Sequence, residues 1–107
     1  MTMFDDRERA FEAKFAHDQE MQFRVTARRN RLLGEWAAKA MQLTAEETDA
    51  YKKAVVQADF EEAGDEDVIR KVLGDLVSAG SNLDETAVRQ ALAEKTAEAR
   101  RQLMQEG

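Results

Sequence analysis

The stretch "DEDVIRKVLGDLVS", residues 65–78, carries a broad apolar face. Its large apolar residues fall at positions i, i+1, i+4, i+5, i+8 and i+9, and they are Val68, Ile69, Val72, Leu73, Leu76 and Val77. An α-helix brings these spacings together on about half of its circumference. We therefore expect this segment to form the helix at the centre of the core.

The composition of the whole chain also indicates helices. The 107 residues are 43% hydrophobic and 36% charged, with no proline and five glycines. Good helix formers such as Ala, Glu, Leu and Arg dominate, whereas β-branched residues are sparse. This length suits one modest core, so we predict a single all-α domain.

Missing residue types and segments exclude several classes of protein. With no cysteine, the chain has no disulfide framework, thiolate metal site or nucleophilic thiol. The first residues lack the apolar run of about 7–15 residues that a signal peptide needs. No apolar stretch approaches the roughly 20 residues of a membrane span. We expect a soluble cytoplasmic protein without direct membrane insertion.

Capping residues divide the chain into four predicted helical regions. Gly64 and Gly80 each follow an apolar-periodic run, where a left-handed residue closes a helix. Thr44 and Glu47 fit a capping box, and Asp65 and Asp84 are of the type that caps a helix start. The predicted regions are a long first one ending near residue 42, then 45–63, 66–79 and 85–105, which together predict a four-helix bundle.

The other three regions each offer an apolar face to this core. In the fourth, a line of four residues is interrupted by the polar pair Lys95 and Thr96, so its face narrows midway. Trp36 and Tyr51 are most simply core aromatics. The predicted core residues of the first region are Met21, Phe23, Val25, Leu32, Leu33, Trp36, Ala40 and Leu43; those of the second are Tyr51, Val55, Val56 and Phe60; those of the fourth are Val88, Leu92, Ala99 and Leu103.

Upstream of this core, three phenylalanines share one helical face. Phe4, Phe11 and Phe15 are spaced by seven and four residues, but the next positions on their line are the polar Asp18 and Gln22. We therefore divide the chain into a mobile, partly disordered N-terminal arm, residues 1–18, and a helical bundle, residues 19–107.

Whether residues 1–18 become helical depends on how the energy of burying their phenylalanines compares with the cost of folding. An isolated helix of about 12–15 residues is marginal in water. Burying one phenylalanine contributes roughly 1.5–3 kcal/mol, and coupled folding costs about 2–5 kcal/mol. Three aromatic anchors could therefore drive the arm to become a helix against a partner. The alternative, that the arm folds back on its own bundle, stays open on periodicity alone.

Several blocks together resemble one family. "FDDRERAFEAKFAHD", "ARRNRLLGEWAA" and "ADFEEAGDEDVIRKV", followed by a final amphipathic helix, are similar to the zeta subunit of alphaproteobacterial F-type ATP synthases. The likeness covers essentially the whole chain. It implies a small inhibitor of ATP hydrolysis, with a four-helix bundle and a mobile N-terminal segment that becomes helical in a catalytic interface between the alpha and beta subunits, next to the central gamma rotor. It also implies a location at the cytoplasmic face of the membrane-bound enzyme.

The resemblance assigns partner-binding residues in the arm. We expect the phenylalanines to be buried in the interface, the basic residues to meet acidic side chains and the glutamates to meet basic ones. The site residues are Phe4, Asp5, Asp6, Arg7, Glu8, Arg9, Phe11, Glu12, Lys14 and Phe15. No catalytic residue, metal or cofactor is implied.

Three other features have two interpretations each. His17 could tune arm release near pH 6.5, although a lone histidine is more often incidental. "EEAGDED", residues 61–67, could attract a divalent cation, but it lacks the ligand spacing of an EF-hand and fits a solvated helix junction better. A basic cluster on the first long helix could bind phosphate; its members are Arg24, Arg28, Arg29 and Arg31.

Charge balance favours an internal partner for this basic cluster. Residues 24–39 carry five positive charges and one negative, net +4, whereas residues 40–68 carry two positive and nine negative, net −7. The acidic stretch of the same bundle, or an acidic surface on the enzyme, is the favoured partner. A net charge of −6 disfavours nucleic acid. No Walker-type loop is present, so only weak nucleotide contact near the arginines stays an open alternative.

Three function classes follow from these observations. An inhibitor of ATP hydrolysis fits both the resemblance and the arm. A helical adaptor that uses the same arm on another partner is the alternative, and a pull-down that recovers or fails to recover alpha and beta subunits separates the two. An enzyme is disfavoured, because the chain has one histidine, no cysteine and no glycine-rich phosphate loop.

Overall fold

The computed structural model describes residues 19–61 and 65–106. They form four α-helices: α1 (Gln19–Ala40), α2 (Ala45–Glu61), α3 (Asp65–Ser78) and α4 (Glu85–Glu106). Within these two ranges there is no strand, and the predicted all-α four-helix bundle is confirmed. The predicted mobile arm, residues 1–18, and the predicted helix end at Gly64 lie outside the described residues. No described helix is both long and apolar enough to cross a membrane.

The helix boundaries follow local hydrogen bonding. Thr44 and Glu47 form the predicted capping box: the backbone N–H of Glu47 donates to Thr44 Oγ1 at 3.1 Å, and the backbone N–H of Thr44 donates to Glu47 Oε1 at 2.9 Å. The hydrogen bond from the Thr44 backbone lowers the pKa of Glu47, and that from its side chain adds to the effect. At the start of α4, the N–H of Ala87 donates to Asp84 Oδ1 at 2.9 Å, so this predicted cap is also confirmed.

Two helices end in the same left-handed motif. At the end of α3, Gly80 has φ +80°, and the N–H of Ser81 donates to the Leu76 carbonyl at 2.9 Å, as the sequence predicts. At the end of α1, Gln42 takes this role with φ 60°, and the N–H of Leu43 donates to the Ala38 carbonyl at 3.0 Å. Sequence patterns did not point to Gln42, because a side chain disfavours this conformation.

The main core lies where α3 meets the other three helices. From α3 it takes Val68, Ile69, Val72 and Leu76, with Leu73 packed against it, as predicted. The other members are Leu33 and Ala37 of α1, Val55 of α2, and Val88, Ala91 and Leu92 of α4. Trp36 and Tyr51 pack against this cluster, so their prediction as core aromatics is confirmed.

A second, smaller cluster joins the first half of α1 to the last half of α4. It consists of Val25, Ala99 and Leu103, with Met21 and Leu32 packed against it. Between the two clusters, α4 presents the half-buried Lys95 and Thr96. The predicted interruption of the α4 face therefore corresponds to a real division of the core.

Three predicted core positions are wrong. Val77 is 63% exposed and Phe23 is 55% exposed, and Ala40 at the end of α1 is also exposed. Both large side chains lie at the edge of their apolar face, which is wider than the surface that neighbouring helices cover. The buried line of α1 instead runs through Val25, Arg29, Leu33 and Ala37, so the face of α1 is rotated from the predicted one. The side chain of Phe60 is not described.

Close approach of α1 and α2 depends on Gly34. A Cβ atom at this buried position would lie 3.0 Å from the Cα atom of Lys52. Because the obstacle is backbone, a larger residue would require the two helices to move apart by a few tenths of an ångström. Gly34 therefore sets how closely α1 and α2 pack.

Candidate functional site

All ten predicted partner-binding residues lie outside the described residues, as does His17. Their roles therefore stay predictions. The described residue nearest to the arm in sequence is Gln19, the first residue of α1. The described surface nearest to the arm in sequence is therefore the first turn of α1.

A groove between α1 and α2 begins at this end of the bundle. We call it the α1–α2 groove; it encloses about 320 Å³. On α1 it runs from Gln19 to Asn30 past Phe23, and α2 contributes Val56 and Asp59. Its volume lies near the lower end of the range of about 300–1,000 Å³ that is typical of ligand pockets.

A buried arginine, Arg29, lies next to Asn30 and Asp59 at the inner end of the groove. Arg29 is 6% exposed, and its Nη1 donates to Asp65 Oδ1 at 2.9 Å. Its Nη2 lies 3.8 Å from Asp59 Oδ2, too far for a hydrogen bond but close enough for an ion pair. Arg29 thus joins α1 to α2 and α3. The predicted pairing of the basic cluster with the acidic stretch of the same bundle is confirmed for this residue.

Asn30 completes this buried polar cluster. Its Oδ1 accepts hydrogen bonds from Nε and Nη2 of Arg29, at 3.1 and 3.0 Å. These bonds fix the orientation of the side-chain amide, and Nδ2 is its other polar atom. Within the part of the chain that the structure describes, Asn30 Nδ2 is buried and has no hydrogen-bond partner. No sequence pattern indicated this buried donor, because an asparagine between arginines is typical of a helix surface.

The other arginines of the basic cluster have different surroundings. Arg24 pairs with Glu20 of its own helix at 3.0 Å, and both side chains are largely exposed. Arg28 reaches α4, where its Nη2 donates to Glu106 Oε2 at 3.2 Å. Arg31 is exposed. The spacings of four and three residues place Arg24, Arg28 and Arg31 on one side of α1, where the first two already pair with carboxylates. Arg29 lies on another side and is buried against α2 and α3.

In the described part of the acidic junction, residues 65–67, each carboxylate pairs with an arginine. Asp65 binds Arg29, Asp67 lies 3.4 Å from Arg70, and Glu66 accepts two hydrogen bonds from Arg89, at 3.0 and 2.8 Å. The hydrogen bond from Arg89 and its charge lower the pKa of Glu66. Among the residues that the structure describes, no three acidic or histidine side chains converge as they would around a metal ion.

At the other end of α2, Tyr51 is tied to α3. Its hydroxyl donates to Asp75 Oδ2 at 2.8 Å, and Lys71 Nζ donates to the same oxygen at 3.1 Å. Burial raises the pKa of Tyr51 far above its ordinary value, and the Asp75 carboxylate adds to the effect. Tyr51 therefore stays protonated as a structural donor.

Comparisons with known proteins agree with this architecture. A protein whose structure was solved by solution NMR is 48% identical in sequence; the match covers 81% of this chain and 99% of that one, with a TM-score of 0.72. Among curated proteins, none matches the chain significantly.

A family model described as "ATPase inhibitor subunit zeta" matches residues 1–102. This match takes in the arm as well as most of the bundle, and it confirms the family that the sequence blocks resemble. An inhibitor subunit is a regulatory protein that associates with its enzyme complex. The chain belongs to the ATPase inhibitor subunit zeta family.

Proposed function

We propose that this protein inhibits ATP hydrolysis by the F-type ATP synthase through residues 1–18. In this proposal the arm enters a catalytic interface between the alpha and beta subunits, next to the central gamma rotor, and becomes a helix there. The inhibitor acts at the cytoplasmic face of the membrane-bound enzyme. A helix wedged into an interface that must open in each cycle stops rotation without any covalent chemistry.

One observation carries this proposal. The family match begins at residue 1, so residues 1–18 belong to the family's sequence pattern. In sequence, Phe4, Phe11 and Phe15 share one helical face that the polar Asp18 and Gln22 separate from the apolar pattern of α1. Full burial of each phenylalanine against a partner would contribute roughly 1.5–3 kcal/mol.

In this proposal, the folded bundle anchors the arm. Its helices are joined by two apolar clusters and by ion pairs that cross between helices, such as Arg29 with Asp65 and Arg89 with Glu66. In the proposal, Phe4, Phe11 and Phe15 are buried in the enzyme interface. Arg7, Arg9 and Lys14 face acidic groups there, and Glu8 and Glu12 face basic ones.

The direct test is ATP hydrolysis by the isolated catalytic sector. The full chain is expected to slow hydrolysis, and a chain that lacks residues 1–18 is expected to lose this effect while keeping its helicity and cooperative melt. Inhibition by the truncated chain at full strength would refute the proposal.

Point variants locate the contact within the arm. Phe11→Ala and Phe15→Ala should each raise the half-inhibitory concentration with little change in melting temperature. The matched control is Val77→Ala, which trims an exposed apolar side chain of α3 and should leave inhibition unchanged. Recovery of alpha and beta subunits by the full chain, but not by the truncated one, separates an inhibitor from an adaptor for another partner.

A further inference from the structure

The two apolar clusters of the bundle differ in size and in the helices that build them. The main cluster contains ten buried residues, which come from all four helices. The smaller cluster contains Val25 of α1 and Ala99 and Leu103 of α4, with Met21 and Leu32 packed against it. Among the residues that the structure describes, α2 and α3 supply no member of this smaller cluster. Three buried side chains therefore join the first half of α1 to the last half of α4.

Two neighbouring arginines show where this division crosses α1. Arg28 reaches the end of α4, where its Nη1 donates to Gln102 Oε1 at 3.3 Å and its Nη2 donates to Glu106 Oε2 at 3.2 Å. Arg29 instead donates to Asp65 of α3 and lies beside Asp59 of α2. From Arg29 onward, α1 is thus tied to α2 and α3, whereas the buried apolar contacts before it are with α4.

On α4, the division falls at Lys95 and Thr96, whose side chains are both half-buried. Lys95 pairs with Glu98 of its own helix at 3.3 Å, and Thr96 Oγ1 donates to the Leu92 carbonyl at 2.7 Å. Both interactions stay within α4. A threonine hydroxyl that donates to the carbonyl four residues earlier competes with helical hydrogen bonding and slightly destabilises the helix. This turn is therefore a natural place for α4 to open.

We propose that residues 19–28 of α1 and residues 97–106 of α4 form a clasp that opens as one unit while the main cluster stays folded. Opening separates the smaller cluster and breaks the hydrogen bonds from Arg28 to α4. Each segment supplies buried apolar cover for the other, so separation exposes both. Proteins open in such cooperative units where few buried apolar contacts hold a segment.

The clasp lies at the end of the bundle that follows the arm in sequence. Gln19, the first residue of α1, is bonded directly to residue 18. As a helix, the ten residues 19–28 span about 15 Å, whereas the same residues extended span about 33 Å. The consequence rests on the proposed function: an open clasp lengthens the tether between an inserted arm and the folded bundle.

Amide hydrogen exchange of the full chain tests the clasp, because it detects openings that involve only part of a protein. The slowest amides of residues 19–28 and those of residues 97–106 should share one opening constant. This constant should exceed that of main-cluster amides such as those of Val72 and Leu76. Low concentrations of urea should raise exchange in both segments with the same slope, since one opening exposes both. Different constants or slopes in the two segments would overturn the inference.

Substitutions in the two clusters separate clasp opening from global unfolding. Leu103→Ala removes buried side-chain atoms only from the closed clasp, so it should raise the opening constant of both segments by the same factor, about 30-fold or more. Val25→Ala is a smaller deletion that should act in the same direction, and it replaces Leu103→Ala if that variant does not fold. Different factors in the two segments would show independent fraying and overturn the inference.

Ile69→Val is the matched control in the main cluster, where Ile69 is 4% exposed. Because this cluster stays folded in the open clasp, the substitution should speed main-cluster exchange and leave clasp exchange unchanged. Equal acceleration of both would show that the clasp amides exchange by global unfolding, which would overturn the inference.

The two proposals can fail separately. Exchange of the clasp segments with the opening constant of the main cluster would overturn the clasp and leave the hydrolysis assay as evidence for the proposed function. A full chain that does not slow hydrolysis would refute the proposed function, whereas a common opening constant in the two segments would still support the clasp.

Discussion

Arg29 of α1 donates a hydrogen bond to Asp65 in the first turn of α3, yet only the arginine of this pair is buried. The side chain of Arg29 is 8% exposed, whereas that of Asp65 is 59% exposed. A buried cation depends on all of its partners, while an exposed carboxylate can turn to water. The two residues should therefore respond very differently to substitution.

Arg29→Ala is expected to lower the free energy of unfolding by about 3 kcal/mol, because it removes buried packing and leaves the nearly buried Asp59 without its cation. Asp65→Asn is the matched comparison and should cost less than about 1 kcal/mol, since solvent screens its exposed carboxylate. Urea unfolding midpoints at unchanged slope measure both values. Equal losses would show that Asp65 contributes as much as the buried cation.

The two left-handed helix ends give a reciprocal prediction. Gly80→Ala, at φ +80°, should destabilise the protein by about 1 kcal/mol, because a side chain disfavours this conformation. Gln42→Gly, at φ 60°, should stabilise it by about 0.5–1 kcal/mol, since glycine removes that strain but adds freedom to the unfolded chain. Thermal and urea unfolding test the pair. A loss of stability in Gln42→Gly would contradict the strain assigned to Gln42.

Replacing two helical glycines by alanine should change the free energy of unfolding in opposite directions. Gly74→Ala in α3 meets nothing within 4 Å, so it should stabilise the protein by about 1 kcal/mol through helix propensity. Gly34→Ala has the same intrinsic gain, but its Cβ would lie 3.0 Å from the Lys52 Cα atom. Overpacking of this kind costs about 1–3 kcal/mol, so we expect a net loss. Stabilisation by both substitutions would show that α1 and α2 separate easily.

Acid should weaken the fold through two paired carboxylates. The pKa of Glu47 is lowered first by the Thr44 backbone, and that of Glu66 first by Arg89. Because each folded-state pKa lies below the unfolded one, the stabilisation is present above the unfolded value, about 4.3, and is lost as pH falls through the folded value.

Glu47→Gln isolates one of these contributions. It removes the titrating group but keeps an acceptor for the Thr44 N–H, so stability should depend less on pH below about 4.5 than in the unmodified chain. Glu46→Gln is the control, since it changes the neighbouring carboxylate and keeps the Thr44–Glu47 pair. Urea midpoints measured across the acid range give the comparison. Identical acid sensitivity of Glu47→Gln and the unmodified chain would contradict the assignment.

The helix ends were readable from sequence because they depend on near neighbours. Thr44 and Glu47 are three residues apart, and Asp84 binds the N–H three residues after it. Gly80 was readable because glycine alone takes its conformation without strain. The left-handed helix end at Gln42 was not predicted, because glutamine rarely adopts this conformation and is therefore no sequence signal for it.

The candidate site, too, was predicted from the sequence only in part. The arm's residues were assigned through the family blocks, and the family match that includes them supports their membership but leaves their individual roles as predictions. The α1–α2 groove had no sequence signature. Its wall depends on Phe23 falling outside the covered face of α1, and its buried donor depends on Arg29 binding the Oδ1 atom of Asn30.

By itself, the sequence determined which of the described segments are helical, the capped starts of α2 and α4, the end of α3 at Gly80, and that α3 is central. Propensity, capping and periodicity act over a few residues, so they can be read from the sequence. Tertiary structure decided which part of each apolar face is covered, leaving Val77 in solvent and burying Arg29 against the acidic residues of α2 and α3. The reason is physical: an apolar face can be wider than the surface its neighbours cover, and a charge becomes buried only when distant residues supply its partners.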